Sequence, residues 1–261
     1  MSQEAVRALV LPSVSKALYC LLAASSSQGS ESRLTVVVGD LSSSTPSSPS
    51  SSTSPAISPS SSPSTAPRAL DVVVYAEPLP AAPKWPVQID IRPGQRDDPE
   101  LKSSIWVEAR RSYKAQKDPE SDEVVLVSSD DGRLYEGLSS NFLALIGDPN
   151  DRASLSLLTA PPGSVLTGTM LQVVLDAASA MGIKVVREAP LLSGSRGWAG
   201  ACVCSTTRLL LPIDRIRLVS ANGQQDDRFS LPIPLVLREL VDEARHRLPQ
   251  HAEYVPPPAQ E

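Results

Sequence analysis

Four short stretches hold the residues whose types and spacing could do chemistry. Lys102 sits between Leu101 and Ser103 just ahead of a helical pattern, and Glu136 lies in a strand-like run beside Gly137. Gly168-Thr169 opens a second helical pattern after a Pro-Pro-Gly turn, and Ser205-Thr206-Thr207 closes an apolar strand. Together they offer an amine, a carboxylate, a helix start whose free N–H groups favour an anion, and strand-end hydroxyls. Taken singly, each also has a plain structural reading. Lys102 reads as a solvated side chain, Glu136 as a turn carboxylate paired with Arg133, and Thr206 as an ordinary strand-end hydroxyl.

Other chemistries are excluded by what the chain lacks. It has no Gly-rich phosphate loop, no HExxH and no serine in a GxSxG elbow. Its only histidines, His246 and His251, fall on or just beyond a polar C-terminal helix face, which leaves no base for a serine or cysteine triad. Cys20, Cys202 and Cys204 make an odd set without repeated pair spacing. Neither a metal site nor a disulfide framework is expected, and a reducing compartment fits. With a net charge of −5 and no basic stripe, the chain lacks the clustered cations that nucleic acid requires. Apolar runs such as 17–24 are too short to span a bilayer, so a soluble protein is expected.

The elements that must position these groups can be read along the chain. Residues 13–24 place Val14, Ala17, Leu18 and Leu21 on one helical face, with Ser13 as N-cap, and strands are expected at 34–38 and 70–76. Between those strands, every residue from 42 to 67 except Ala56, Ile57 and Ala66 is Ser, Thr or Pro. Such a tract cannot bury enough apolar surface to offset its ordering entropy, so it reads as a disordered insertion. Residues 1–78 then form a small α+β domain, 79–100 a Pro-rich linker with one extended piece at 86–91, 101–250 a larger domain and 251–261 a tail. Within the larger domain, helices are expected at 103–113, 169–181 and 234–248. Strands are expected at 123–128, 134–137, 142–146, 155–158, 183–187, 201–204, 209–211 and 216–219. The irregular mixing of helices and strands gives an α+β class. Residues 1–33, rich in Ser and Ala, have the composition of a transit peptide as well as of a domain helix. The expected location is cytoplasmic, with a plastid or mitochondrion as the alternative.

Read in order, "DDPELKSSIWVEAR", "EGLSSNFLAL", "LTAPPGSVLTGTMLQVVLDAASAMGI" and "CSTTRLLLPI" resemble the fold-type IV pyridoxal-phosphate enzymes, the class IV aminotransferase family. That family includes branched-chain and D-amino-acid aminotransferases and aminodeoxychorismate lyase. The likeness runs from about residue 96 to 248. It implies a two-domain fold of the D-amino-acid aminotransferase type and a pyridoxal 5'-phosphate cofactor. Lys102 would carry the cofactor and then move the substrate's α-proton, a task that needs an unprotonated amine and hence partial burial and cationic neighbours. Glu136 would hold a proton on the ring nitrogen. Gly168, Thr169, Met170, Thr206 and Thr207 would bind the phosphate, and Asn141 would fix the loop beneath the ring. For Trp106 and Arg110, packing or a surface ion pair is the expected role.

The resemblance also implies a longer small domain, of which this chain is expected to hold the last helix and two strands. That domain contributes a phosphate-binding arginine. Arg33 and Arg68 stand in no matching context, and Arg7 is the nearest stand-in. Amino transfer between an amino acid and a 2-keto acid in a homodimer is the expected function. A lyase on the same scaffold and a non-catalytic binding or dimerisation module are the alternatives.

Overall fold

Strands read as continuous apolar runs turn out to be buried on both faces, with side chains alternating between two cores. The computed structural model describes residues 2–24, 31–39, 71–81, 83–220, 225–252 and 254–256. The Ser/Pro tract at 42–67 lies outside them. The chain divides into two compact units, Met1–Pro80 with Glu253–Glu261, and Ala81–Ala252.

In the first unit, helix α1 (Gln3–Ala24) is followed by strands β1 (Ser32–Gly39) and β2 (Asp71–Pro78). The two strands pair antiparallel from Ser32↔Pro78 to Gly39↔Asp71. Their partners Arg33 and Glu77 form an ion pair, with Arg33 Nε donating to Glu77 Oε1 at 2.8 Å. Helix α1 starts well before the expected Ser13 and runs through Pro12. That proline removes one backbone hydrogen bond from the ladder without ending the helix.

The second unit opens with β3 (Val87–Pro93), expected as an extended piece of a connection and instead a strand whose first six residues are all buried. Short helices α2 (Ser104–Ala109) and α3 (Arg111–Ala115) follow, then β4 (Glu123–Val127), β5 (Leu134–Gly137), β6 (Asn141–Ile146) and β7 (Ser156–Thr159). Next come α4 (Thr169–Ala180), β8 (Lys184–Arg187), β9 (Gly200–Ser205), β10 (Leu209–Val219), β11 (Gln225–Ser230) and α5 (Leu235–Arg247). The described strands of this unit form one nine-stranded sheet. β9 pairs with both β6 and β10, so the path β10-β3-β4-β5-β6-β9 returns on itself and closes a ring. β7 with β8, and β11, extend outward from it.

The inside of the ring is filled by Ile89, Val125, Phe142, Ala144, Val203 and Ile213, among others. The alternate residues Leu143, Leu145, Cys202 and Cys204 point outward into a second core under α4 and α5. This is the period-2 alternation of a strand, with both faces apolar. Helix α4 buries Met170, Leu171, Val174 and Ala177 there, and α5 buries Leu237, Leu240 and Ala244. α4 ends where Gly182 takes φ +76°, while the Ile183 N–H reaches back to the Ala178 carbonyl at 2.9 Å. That is the left-handed closure glycine permits most cheaply.

Three further expectations are corrected. The helix read at 103–113 is two helices that meet at Arg110. The strands read at 209–211 and 216–219 are one strand through Pro212. Strand β11 has no counterpart in the sequence reading, because Gln225, Asp226, Asp227 and Arg228 carry no apolar alternation. No helix among the described residues is long and apolar enough to cross a membrane.

Candidate functional site

The turn between β5 and β6 explains the sequence EGLSSN residue by residue. Glu136 pairs across the turn with Asn141. A side chain on Gly137 would place its Cβ 2.5 Å from Ser140 Oγ, so only glycine lets the turn close this tightly. The hydroxyls of Ser139 and Ser140 donate to Glu123 Oε2 at 3.0 and 2.9 Å. Arg208 also reaches that oxygen, and its Nη2 donates to Ser139 Oγ at 2.6 Å. The β5–β6 turn is therefore held against the turn that carries Thr206.

Glu136 itself is 6% exposed. The alternative pairing with Arg133 is not formed, because Arg133 turns to Glu188 at 2.7 Å. Glu136 instead faces Arg96, whose Nη1 stands 3.5 Å from Oε1. That contact is an ion pair without hydrogen-bond geometry, and Glu136 Oε1 is left buried with no hydrogen-bond partner. Burial pushes the Glu136 carboxyl up to about 7, against the opposing pull of Arg96 and of the Leu166 backbone N–H.

The loop before α4 continues the site. Asn141 Nδ2 donates to the Leu166 carbonyl at 2.8 Å. A Cβ on Gly168 would lie 2.7 Å from Asn141 Oδ1, so the missing side chain lets the loop rest on Asn141. Gly168 is the N-cap of α4 and offers no side-chain cap, which leaves the first N–H groups of the helix open to an anion. The Thr169 hydroxyl lies 3.1 Å from that of Thr206, and both are exposed. Thr207 is half-buried on the same turn, and the Met170 side chain is buried in the core, so Met170 can contribute only its backbone. The structure thus gathers Glu136, Asn141, Gly168, Thr169 and Thr206 around residues 166–169.

Two cavities flank this loop. Glu136, Arg96, Tyr135 and Ser128 line one of about 320 Å³. Thr169, Thr206, Met170 and His251 line another of about 480 Å³. Lys102 lines neither of them. It is exposed, and so the expected partial burial is corrected. The cause is local: Lys102 precedes the N-cap Ser103 of α2, a helix with no buried residue. Lys102 is nonetheless tied to the site, because Arg96 Nη2 donates to the carbonyl of Leu101.

Trp106 Nε1 and Arg110 Nη1 both donate to the Leu138 carbonyl, at 3.1 and 2.9 Å. Their role is to dock α2 on the turn that follows Glu136, and Arg110 does so through a backbone carbonyl instead of an ion pair. Arg7 and Arg33 lie in the first unit, Arg33 on Glu77, and Arg68 lies outside the described residues. The sequence reading missed Arg96, Glu123 and Arg208. Arg208 could have been found as the residue directly after the Ser-Thr-Thr turn. Arg96 carried no signal, since the Pro-rich stretch around it reads as a connection.

The donor set fits pyridoxal phosphate. Glu136 Oε1, which has the ion-pair contact to Arg96 but accepts no hydrogen bond, can still accept an N–H, and the uncapped α4 start with two hydroxyls suits a phosphate.

The family model of amino-transferase class IV matches residues 13–216. The 4-amino-4-deoxychorismate lyase of Pseudomonas aeruginosa superposes with a TM-score of 0.55 at 19% identity, covering 69% of this chain and 63% of that one. The branched-chain aminotransferase of Thermoproteus uzoniensis gives 0.50 at 16%, covering 70% and 59%. A putative branched-chain amino acid aminotransferase of Thermotoga maritima gives 0.50 at 19%, covering 67% and 60%. At these identities the likeness establishes the fold, and the chain spans about three fifths of each protein's length. No curated protein sequence matches the chain.

Proposed function

The chain belongs to the class IV aminotransferase family, and from that premise we propose that it is a pyridoxal-phosphate-dependent enzyme moving an amino group between an amino acid and a 2-keto acid. The observation that carries this reading is Glu136. It is a buried carboxylate, ion-paired to Arg96 but with one oxygen accepting no hydrogen bond, set beside a loop that leads to an uncapped helix start and a threonine pair.

When bound, pyridoxal phosphate supplies an aldehyde that captures amines and a ring that draws electron density from the substrate's α-carbon. Lys102 would be the amine that holds the cofactor and moves the substrate's α-proton, a role assigned by its place in the family pattern and not by its exposed position. Glu136 would stand against the ring nitrogen and, in its ionised form, accept the ring N–H and favour the protonated ring. Thr169 and Thr206 donate hydroxyls to the phosphate, with Thr207 beside them, and the N–H groups of Thr169 and Met170 add the helix-dipole contribution. Gly168 keeps that approach clear and Asn141 fixes the loop beneath it.

A homodimer, acting on small amino and keto acids in the cytoplasm, completes the reading. Its test is to incubate the chain with pyridoxal phosphate, a panel of amino donors and 2-ketoglutarate, and to measure glutamate. Glutamate formation dependent on both donor and cofactor supports amino transfer. Release of pyruvate from an amino substrate without glutamate would replace it with lyase chemistry.

A further inference from the structure

One guanidinium reaches three parts of the site. Arg96 Nη1 faces Glu136 at 3.5 Å, Nη2 donates to the Leu101 carbonyl, and the guanidinium carbon stands 5.4 Å from the centre of the Trp106 ring. Leu101 immediately precedes Lys102, and Trp106 lies on the helix that immediately follows it. We infer that Arg96 is a positioning residue of this site, fastening the Lys102 segment to Glu136 from both sides of the lysine. The inference rests on the roles given above to Lys102 and Glu136.

The physical case has three parts. First, the pair is buried on both sides, with side chains 7% and 8% exposed, so its charges are shielded little by solvent. Leaving either partner alone there is costly, which makes the pair a strong constraint on where residues 96–101 can run. Second, the planar fork of arginine can face a carboxylate with one arm and a carbonyl with the other while its face lies on an aromatic ring. An ammonium presents a single point of charge and cannot reproduce that arrangement. Third, Trp106 carries the constraint onward, since its indole N–H donates to Leu138, two residues after Glu136. Lys102 is exposed and the helix that follows it buries nothing, so this clamp, with the Arg110 bond to Leu138, sets its place relative to Glu136.

Arg96 also acts on the ionisation of Glu136, which burial raises to about 7 in spite of it. The other groups facing Glu136 are the Leu166 N–H and, around the shared cavity, Asp97, Asp130, Asp131 and Tyr135. Arg96 is the cation among these, and its removal can only favour the protonated carboxyl.

The test uses the full chain freed of cofactor. The Glu136 side-chain carboxyl is followed by carbon-13 NMR against pH, with Glu136→Gln to assign it, and the exchange of the Trp106 indole proton is measured alongside. In Arg96→Gln the Glu136 midpoint should rise by about one unit, the lower end for losing an opposite charge at this range. In Arg96→Lys the midpoint should stay near the wild-type value. In both variants the indole proton should exchange about tenfold faster, as expected when a charge-assisted bond is lost from a local opening equilibrium. An unmoved midpoint in Arg96→Gln, or unchanged indole exchange in either variant, overturns the assignment. Should Arg96→Gln not fold, Arg96→Lys decides by the exchange rate alone. Both readouts are independent of cofactor, so they stand even if Lys102 proves never to bind it.

Discussion

Replacing Glu136 with Gln should flatten the pH dependence of stability in a way the structure lets one calculate. In the unfolded chain the glutamate titrates at about 4.5 and in the folded chain at about 7. Between those values the folded state binds more protons than the unfolded state, so stability is highest on the acid side and falls as pH rises through 7. Integrating from pH 5 to pH 8, the wild-type chain should lose about 2.5 kcal/mol through this group alone. Glu136→Gln has no such group and should lose none of it. The variant also leaves Arg96 facing an amide, but an arginine stays charged across this range, so that penalty shifts the whole curve without changing its slope. Urea unfolding followed by circular dichroism at pH 5, 6, 7 and 8 measures the difference. The wild type should lose stability relative to the variant as pH rises, their difference changing by about 2.5 kcal/mol between pH 5 and pH 8. Parallel curves would refute the claim that Glu136 is buried with a raised affinity for protons.

Gly137→Ala should destabilise the chain by about 1 to 3 kcal/mol, the usual range for forcing an atom into a filled space. The new Cβ falls 2.5 Å from Ser140 Oγ and 3.1 Å from Glu123 Cγ, which a thermal melt will register as a lowered Tm. Thr206→Val would remove the hydroxyl proposed to donate to the phosphate, worth roughly 1.5 to 3 kcal/mol for a bond to a charged group. Fluorescence titration should therefore show pyridoxal-phosphate affinity weakened by about one to two powers of ten, with little change in Tm. Arg208→Met leaves Glu123 buried and short of its cation, and a loss of about 3 to 5 kcal/mol is expected in chemical denaturation.

The parts of the fold that could be read were those with local periodicity. Val173, Val174 and Ala177 announce α4 at helical spacing, Gly182 marks its end, and Leu134 to Gly137 is a strand as expected. The Glu-Gly and Ser-Asn pairs were legible through the family resemblance, and the structure adds the demands that each residue meets inside one tight turn. What escaped depends on long-range partners. The ion pair of Arg96 with Glu136 joins residues whose only link is three-dimensional, and no spacing rule encodes it. β11 shows no apolar alternation because only its Phe229 packs against the core, and its pairing with β10 is carried by the backbone. The break falls at Arg110, which with Trp106 turns its side chain to the Leu138 carbonyl, a partner the helical pattern cannot show. The exposure of Lys102 agrees with its plain reading as a solvated side chain and departs from the partial burial that the family role requires.

The central claim is that Lys102 carries the cofactor. The measurement that tests it most directly is incubation of the chain with pyridoxal phosphate, reduction with borohydride, and location of the pyridoxyl group by peptide mass spectrometry. The account predicts labelling confined to Lys102 and lost in Lys102→Ala. Labelling spread weakly over other lysines, or retained in that variant, would contradict it.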